Sequence, residues 1–451
     1  MQGSWKRQSW PSNACGSDKY ESKKCYCVNL LAVAFTLLSK NLLPRITCCI
    51  VCCTFCVIMI CFRYHGDIPK PTSKASALLL LRSYPLADRF QITTKCIEKI
   101  TEAASLMEKE VAEDLEFLSV FYSLPDTLRC RQGLSLFRER CQKGLLSRFG
   151  DVPDVIMSAD EPEGLLDEFR SLPAAALLDW ADMDTLKVHS ENCVVLLMSA
   201  WVKANPSCGP EVHRQLASRV RVLHLTNNYL LTVLPNLAWF QACSNIKYLP
   251  IIQLAKSTGK SMSGLSSWNQ LEQSWLRSPR TSNAYLGDSG GAVFEYCLSH
   301  DELAELYLGH SWVDPRPTYF SGFFYNVKIS HTSQTLDHDM SFCVDWDALN
   351  SLWETQGGPI SAALSSPAEV VILNANGEET EAAFKFNPHL LSFCSIKPKF
   401  VKARGFLPTD ILLVGETFQD VVEQYTDEGL RCFKFTITLY AGGSLKNAII
   451  A

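Results

Sequence analysis

From Leu172 to Trp201 the chain reads LPAAALLDWADMDTLKVHSENCVVLLMSAW, in which two apolar patterns of helical period flank an acidic turn. Pro173 suits a first helical position because its φ is already fixed, and Ala174 to Trp180 are strong helix formers with Leu177, Leu178 and Trp180 as their apolar content. Asp182 and Asp184 break this pattern. The second helix starts at Ser190, an N-cap residue whose hydroxyl can accept from a free backbone N–H, and Glu191 complements the helix dipole. Val194, Leu197, Met198 and Trp201 follow at i, i+3, i+4, i+7, and Asn205-Pro206 stops the helix. Two more helix-sized segments come next, Pro210 to Leu223 and Asn228 to Leu234.

Past a Ser-rich span from Lys256 to Ser289 the period becomes two. Phe323, Tyr325, Val327 and Ile329 alternate with Phe324, Asn326 and Lys328; Met340, Phe342, Val344 and Trp346 repeat the pattern, and so do Phe433, Phe435, Ile437 and Leu439. Val370 to Leu373 and Ala383 to Phe386 are shorter strands around the turn signal Asn376-Gly377, which marks a hairpin. The predicted fold is a multidomain α + β chain: an N-terminal all-α helical bundle followed by an antiparallel β-sandwich.

The helical pattern resembles the BACK domain, which follows a BTB/POZ domain. The matching residues are Leu172-Pro173, Leu177-Leu178, Val188, Ser190-Glu191-Asn192, Val194, Leu197 and Trp201-Val202. Upstream, Ala77 to Ile97 looks like the C-terminal helices of a BTB domain; the front of that domain, with the dimer helix and much of the cullin-binding surface, has no counterpart in the 74 preceding residues. Downstream, Val344-Asp345-Trp346 and Leu430 to Leu439 look like a MATH/TRAF-like region. The division that follows is a Cys-rich non-globular segment over 1–74, the end of a BTB-like domain and start of BACK over 75–150, BACK over 151–250, a Ser-rich linker over 251–300 and the sandwich over 301–451.

The resemblance implies a non-catalytic adaptor that brings a protein substrate to a cullin-type ligase scaffold for ubiquitination, without a cofactor. A different class, a membrane-tethered scaffold without ligase recruitment, is suggested by Ile46 to Phe62, an uncharged run between Arg45 and Arg63 at the lower limit for crossing a bilayer; a misassigned exon is the alternative for that region. The chain is otherwise expected in the cytoplasm.

A net charge of -5 argues against nucleic acid as partner, and Arg214, Arg219 and Arg221 read as a solvated helix face. Of the 19 cysteines, eight lie between Cys25 and Cys61, and the scattered remainder read as small buried hydrophobes in a reducing compartment. Cys48, Cys49, Cys52 and Cys53 have apolar neighbours and no second ligand pair, so no metal site is expected.

Two signatures imitate catalysis. Gly287-Asp288-Ser289-Gly290-Gly291 matches the nucleophile motif of chymotrypsin-like proteases, which makes a hydrolase at Ser289 a remote third reading, but no A-A-H-C segment lies upstream to supply a base. Ser257 to Ser261 imitates the end of a P-loop, yet Leu254 stands where its first glycine is required. No catalytic residue is expected. Trp312, Tyr319 and Phe320 are aromatic candidates for a peptide groove, although aromatic residues more often belong to a core, and Gly377 to Glu381 reads as a solvated acidic turn.

Overall fold

The computed structural model describes residues 71, 73–89, 91, 93–106, 114–158, 164–227, 229–258, 270–280, 291–307, 310–313, 317–331, 338–356, 358–360, 368–372, 384–385, 401–403 and 432–440. The apolar run 46–62, Ser289 and the turn 376–381 lie outside them. Among the described residues no helix is long and apolar enough to cross a membrane. The chain divides into two compact units, 1–144 and 145–451.

In the first unit, α1 (Lys74–Arg89), α2 (Thr93–Leu106), α3 (Leu115–Tyr122), α4 (Asp126–Arg129) and most of α5 (Ser135–Phe149) form a helical cluster. Helix α1 buries Ala77 to Leu81, Tyr84 and Ala87, too broad a set for a surface helix with one apolar stripe. Phe137 of α5 packs on Phe117 and Phe121 of α3, and Asp88 at the end of α1 holds Arg131 at 2.5 Å.

The second unit holds α6 (Val152–Met157), α7 (Leu165–Arg170), α8 (Ala174–Asp182), α9 (Glu191–Ala204) and α10 (Pro210–Ala217). Helix α9 is its axis. Every residue from Glu191 to Val202 is buried, so the predicted one-sided stripe is a fully enclosed helix with neighbours on all sides. Large aromatics fill the spaces around it, and each buried indole N–H finds an acceptor: Trp180 donates to Phe149 O at 2.9 Å, Trp201 to Leu172 O at 2.8 Å and Trp239 to Ser199 Oγ at 3.0 Å.

Two of the predicted helices are shorter than their apolar patterns. The segment from Pro210 is helical only to Ala217, after which Val222–His224 makes a 3₁₀ turn. Tyr229–Val233 is a π-helical turn closed by the 3₁₀ turn Leu234–Asn236, since Pro235 has no N–H with which to extend a regular helix. Then come α11 (Ala238–Gln241), α12 (Leu249–Thr258) and α13 (Gln270–Ser274). The span 251–300, expected to be a Ser-rich linker, thus carries most of α12, all of α13 and the strand Gly291–Ser299, and Trp275 is fully buried.

The remaining described elements are β1 (Gly291–Ser299), α14 (His300–Tyr307), β2 (Ser311–Val313), β3 (Thr318–Phe320), β4 (Phe323–His331), β5 (His338–Val344), α15 (Trp346–Leu352), β6 (Ala368–Ile372), β7 (Phe384–Lys385), β8 (Val401–Ala403) and β9 (Cys432–Tyr440). They make two small antiparallel sheets, one ordered β1-β9-β6-β7 and the other β2-β4-β5-β8 with β3 also paired to β4. Tyr296 stacks on Phe435 across the β1–β9 pair at 5.1 Å, and the predicted hairpin appears as Val370↔Phe384 between β6 and β7.

Two expectations change here. Trp346 does not continue a strand: Asp345 accepts from Ala348 N–H at 2.9 Å as an N-cap, so the chain turns into α15. Tyr319 and Phe320 are buried rather than lining an open groove, while Trp312 is half-buried with its N–H on Glu302 Oε1 at 2.9 Å.

Candidate functional site

The N-terminus of α9 is where distant parts of the second unit meet. Ser190 occupies the predicted N-cap position with an extended backbone, φ -162° and ψ 167°, but its hydroxyl makes no cap bond; it lies 2.8 Å from the hydroxyl of Ser321. Asn192 is fully buried and uses its whole amide: Nδ2 donates to Thr226 Oγ1 at 2.9 Å and to Ser321 O at 2.7 Å, while Oδ1 accepts from Thr226 N–H at 3.1 Å. One side chain thus ties α9 to the loop before the π-turn and to the β3–β4 hairpin.

That hairpin turns through Ser321 and Gly322, with Phe320↔Phe323 as the last pair. Both turn residues have positive φ, 50° and 86°, as a two-residue type I′ turn requires. Gly322 is the position where the requirement is strict. A Cβ built on it would fall 2.5 Å from Asn192 Cβ, so the turn presses directly on α9.

His189 caps the other side of the turn. Its ring lies 5.0 Å from that of Phe320 and 6.0 Å from that of Tyr319, and its Nδ1 is 3.4 Å from the N–H of Ser321, which requires an unprotonated acceptor. Burial pushes its pKa down from 6.5 to about 4, against a smaller opposing effect of the Asp151 carboxylate. Burial likewise raises the thiol of Cys193 and lifts the phenols of Tyr229 and Tyr319 well above their ordinary value, so these groups are neutral packing elements.

Glu191 was expected to act on the helix dipole from the first turn. It occupies that turn, but as half of a buried ion pair with Arg280, the two side chains being 2 % and 1 % exposed. Arg280 Nε donates to Oε2 at 2.9 Å and Nη2 to Oε1 at 3.1 Å, a forked contact. Nη2 also donates to Ala181 O at 2.9 Å and Nη1 to Met183 O, carbonyls at the end of α8. The carboxylate therefore sits at the positive end of α9 and the guanidinium at the negative end of α8, both favourable to the helix dipoles. Both carboxylate oxygens are engaged by Arg280, and Oε1 also accepts from Arg221 N–H at 3.2 Å.

Residues 275–280 form a strap over α8 and α10. Trp275 stacks on Phe240 at 5.5 Å and donates to Ala217 O at 3.1 Å; Arg277 reaches Asp182 at 2.8 Å; Ser278 O accepts from Arg221 at 2.9 Å. Arg221 also pairs with Asp184, and Arg219 with Asp182 at 3.0 Å. Arg221, expected on a solvated face, is therefore buried, because the strap covers it and the acidic turn neutralises it.

The other sequence-predicted residues take packing positions. Pro173 opens α8, Leu177 is fully buried, and Leu172 supplies the carbonyl that accepts from Trp201. Sequence reasoning missed Arg280, Ser321, Gly322, His189 and Thr226. Two signals were present: a tryptophan within an otherwise Ser-rich span, and Ser-Gly between Tyr319-Phe320 and Phe323-Phe324, a two-residue hairpin loop.

Residues 165–235, from α7 to the 3₁₀ turn after Val233, match the family model BACK: BTB And C-terminal Kelch. Among curated proteins and solved structures, nothing matches the chain.

Proposed function

We propose that this chain is a non-catalytic interaction adaptor that presents a protein substrate to a cullin-type ubiquitin ligase. The match of residues 165–235 to the BACK family carries the reading, because that family's description joins it to BTB and Kelch modules. The arrangement around α9 supports it: the Asn192 and Ser190 contacts to Ser321 link the BACK helices to the β3–β4 hairpin, and the Glu191–Arg280 ion pair fixes the strap that leads towards it, as a fixed bridge requires. In this reading the two sheets close as a sandwich of MATH/TRAF type and select the substrate. The adaptor breaks no bond; it raises the effective concentration of the substrate beside the ligase.

The test is capture of the full-length tagged chain from cells. A cullin in the eluate, and slower turnover of co-captured proteins when the chain is depleted, are the expected results. Absence of any cullin overturns ligase recruitment. A second reading, a membrane-tethered scaffold, draws on the uncharged run Ile46 to Phe62. It requires residues 1–74 to carry a fused reporter into the membrane fraction, and a reporter that stays in the supernatant removes it.

A further inference from the structure

We infer that the groove between α10 and the strap is a docking site for an acidic peptide segment of a partner protein. The groove has a volume of about 580 Å³, within the range of ligand-sized sites, and lies open at the surface. Three guanidinium groups line it, those of Arg214, Arg219 and Arg277. Two of them share one carboxylate: Asp182 takes Arg219 Nη1 on Oδ2 at 3.0 Å and Arg277 Nη1 on Oδ1 at 2.8 Å. Arg214 is exposed and forms no ion pair with any described residue. Glu211, the acid of the lining, is 3.2 Å from the amide nitrogen of Gln215, which donates to it.

The local balance is therefore positive on a chain whose net charge is -5. The nearby hydroxyls cannot supply alternative donors, since Ser218 donates to Gln215 O at 2.7 Å and Ser274 to Leu271 O at 2.6 Å. Recognition in this groove thus falls to guanidinium forks, which match the paired oxygens of a carboxylate. Aspartate and glutamate side chains on an extended segment are the occupants that fit.

The inference rests on the adaptor reading only for the partner's being a protein, and its test does not involve a cullin. Fluorescence anisotropy of the full chain with a labelled glutamate-rich peptide is the measurement, with the glutamine analogue and a phosphoserine analogue as companions. Binding of the glutamate peptide that weakens with added salt is expected, with the glutamine peptide silent. Arg214→Glu, an exposed substitution that breaks no ion pair among the described residues, should raise Kd by about tenfold or more, the worth of a hydrogen bond to a charged group. Its melting temperature should match that of the parent. Tighter binding of phosphoserine than glutamate would overturn the carboxylate occupant. No binding of either anionic peptide, or equal binding by Arg214→Glu, overturns the assignment.

Discussion

A carboxylate and a guanidinium removed from water together are stable only as a pair. Replacing Arg280 by Met leaves Glu191 enclosed at the start of α9 without its cation, and breaking a buried pair from one side typically costs about 3–5 kcal/mol. Urea unfolding of Arg280→Met should show that loss, whereas the double variant Glu191→Leu with Arg280→Met should recover much of it. Equal loss in both would mean that shape, not charge, holds the strap down. His189 adds a pH dependence of defined sign. Above pH 6.5 it is neutral whether the chain is folded or not; between 6.5 and about 4 the unfolded chain takes up the proton and the folded chain does not, so stability falls as pH falls. The full loss is of order 3 kcal/mol at 1.4 kcal/mol per pKa unit. His189→Asn keeps an acceptor near Ser321 N–H and cannot titrate, so its stability should vary less over this window. An identical slope in wild type and variant would refute the assignment.

The β3–β4 hairpin shows how much an element can depend on one glycine. Gly322→Ala places a methyl 2.5 Å from Asn192 Cβ on a backbone with φ of 86°, combining overpacking with a left-handed conformation. A destabilisation of about 2 kcal/mol or more is expected from these two costs, with near-ultraviolet circular dichroism reporting loosened aromatics around Tyr229 and Phe323. An unchanged melting curve would show that the hairpin can back away from α9. Helices α8 and α9 were legible in the sequence because their apolar period and Pro173, Ser190 and Asn205-Pro206 act locally. Strands β4 and β9 were legible through their alternation. The site was only half legible: Ser190, Glu191 and Asn192 are adjacent and stood out, but their partners Arg280 and Ser321 lie 89 and 131 residues away along the chain, where no local pattern reaches. For Tyr319 and Phe320 the sequence left groove and core both open, and their burial is decided by what the fold brings to that face of the strand.

At the scale of the whole second unit, the strap belongs to the core. Removing everything after Thr258 deletes Trp275 and Arg280 together; a lost core tryptophan costs about 3–5 kcal/mol and the orphaned carboxylate a similar amount. Their sum rivals the stability of an ordinary domain, about 5–15 kcal/mol. A chain ending at residue 258 should therefore show no cooperative melting of α6 to α10 by calorimetry, and a sharp transition there would demote the strap to a surface covering. The distance between Glu191 and Arg280 also has a meaning in time. Glu191 is synthesised 89 residues before its cation Arg280, and Ser321 arrives later still. The helices that match the BACK family are thus finished as a fold only after the segments downstream of them have been translated, and a nascent chain stalled before residue 280 would be a client for chaperones rather than a completed module.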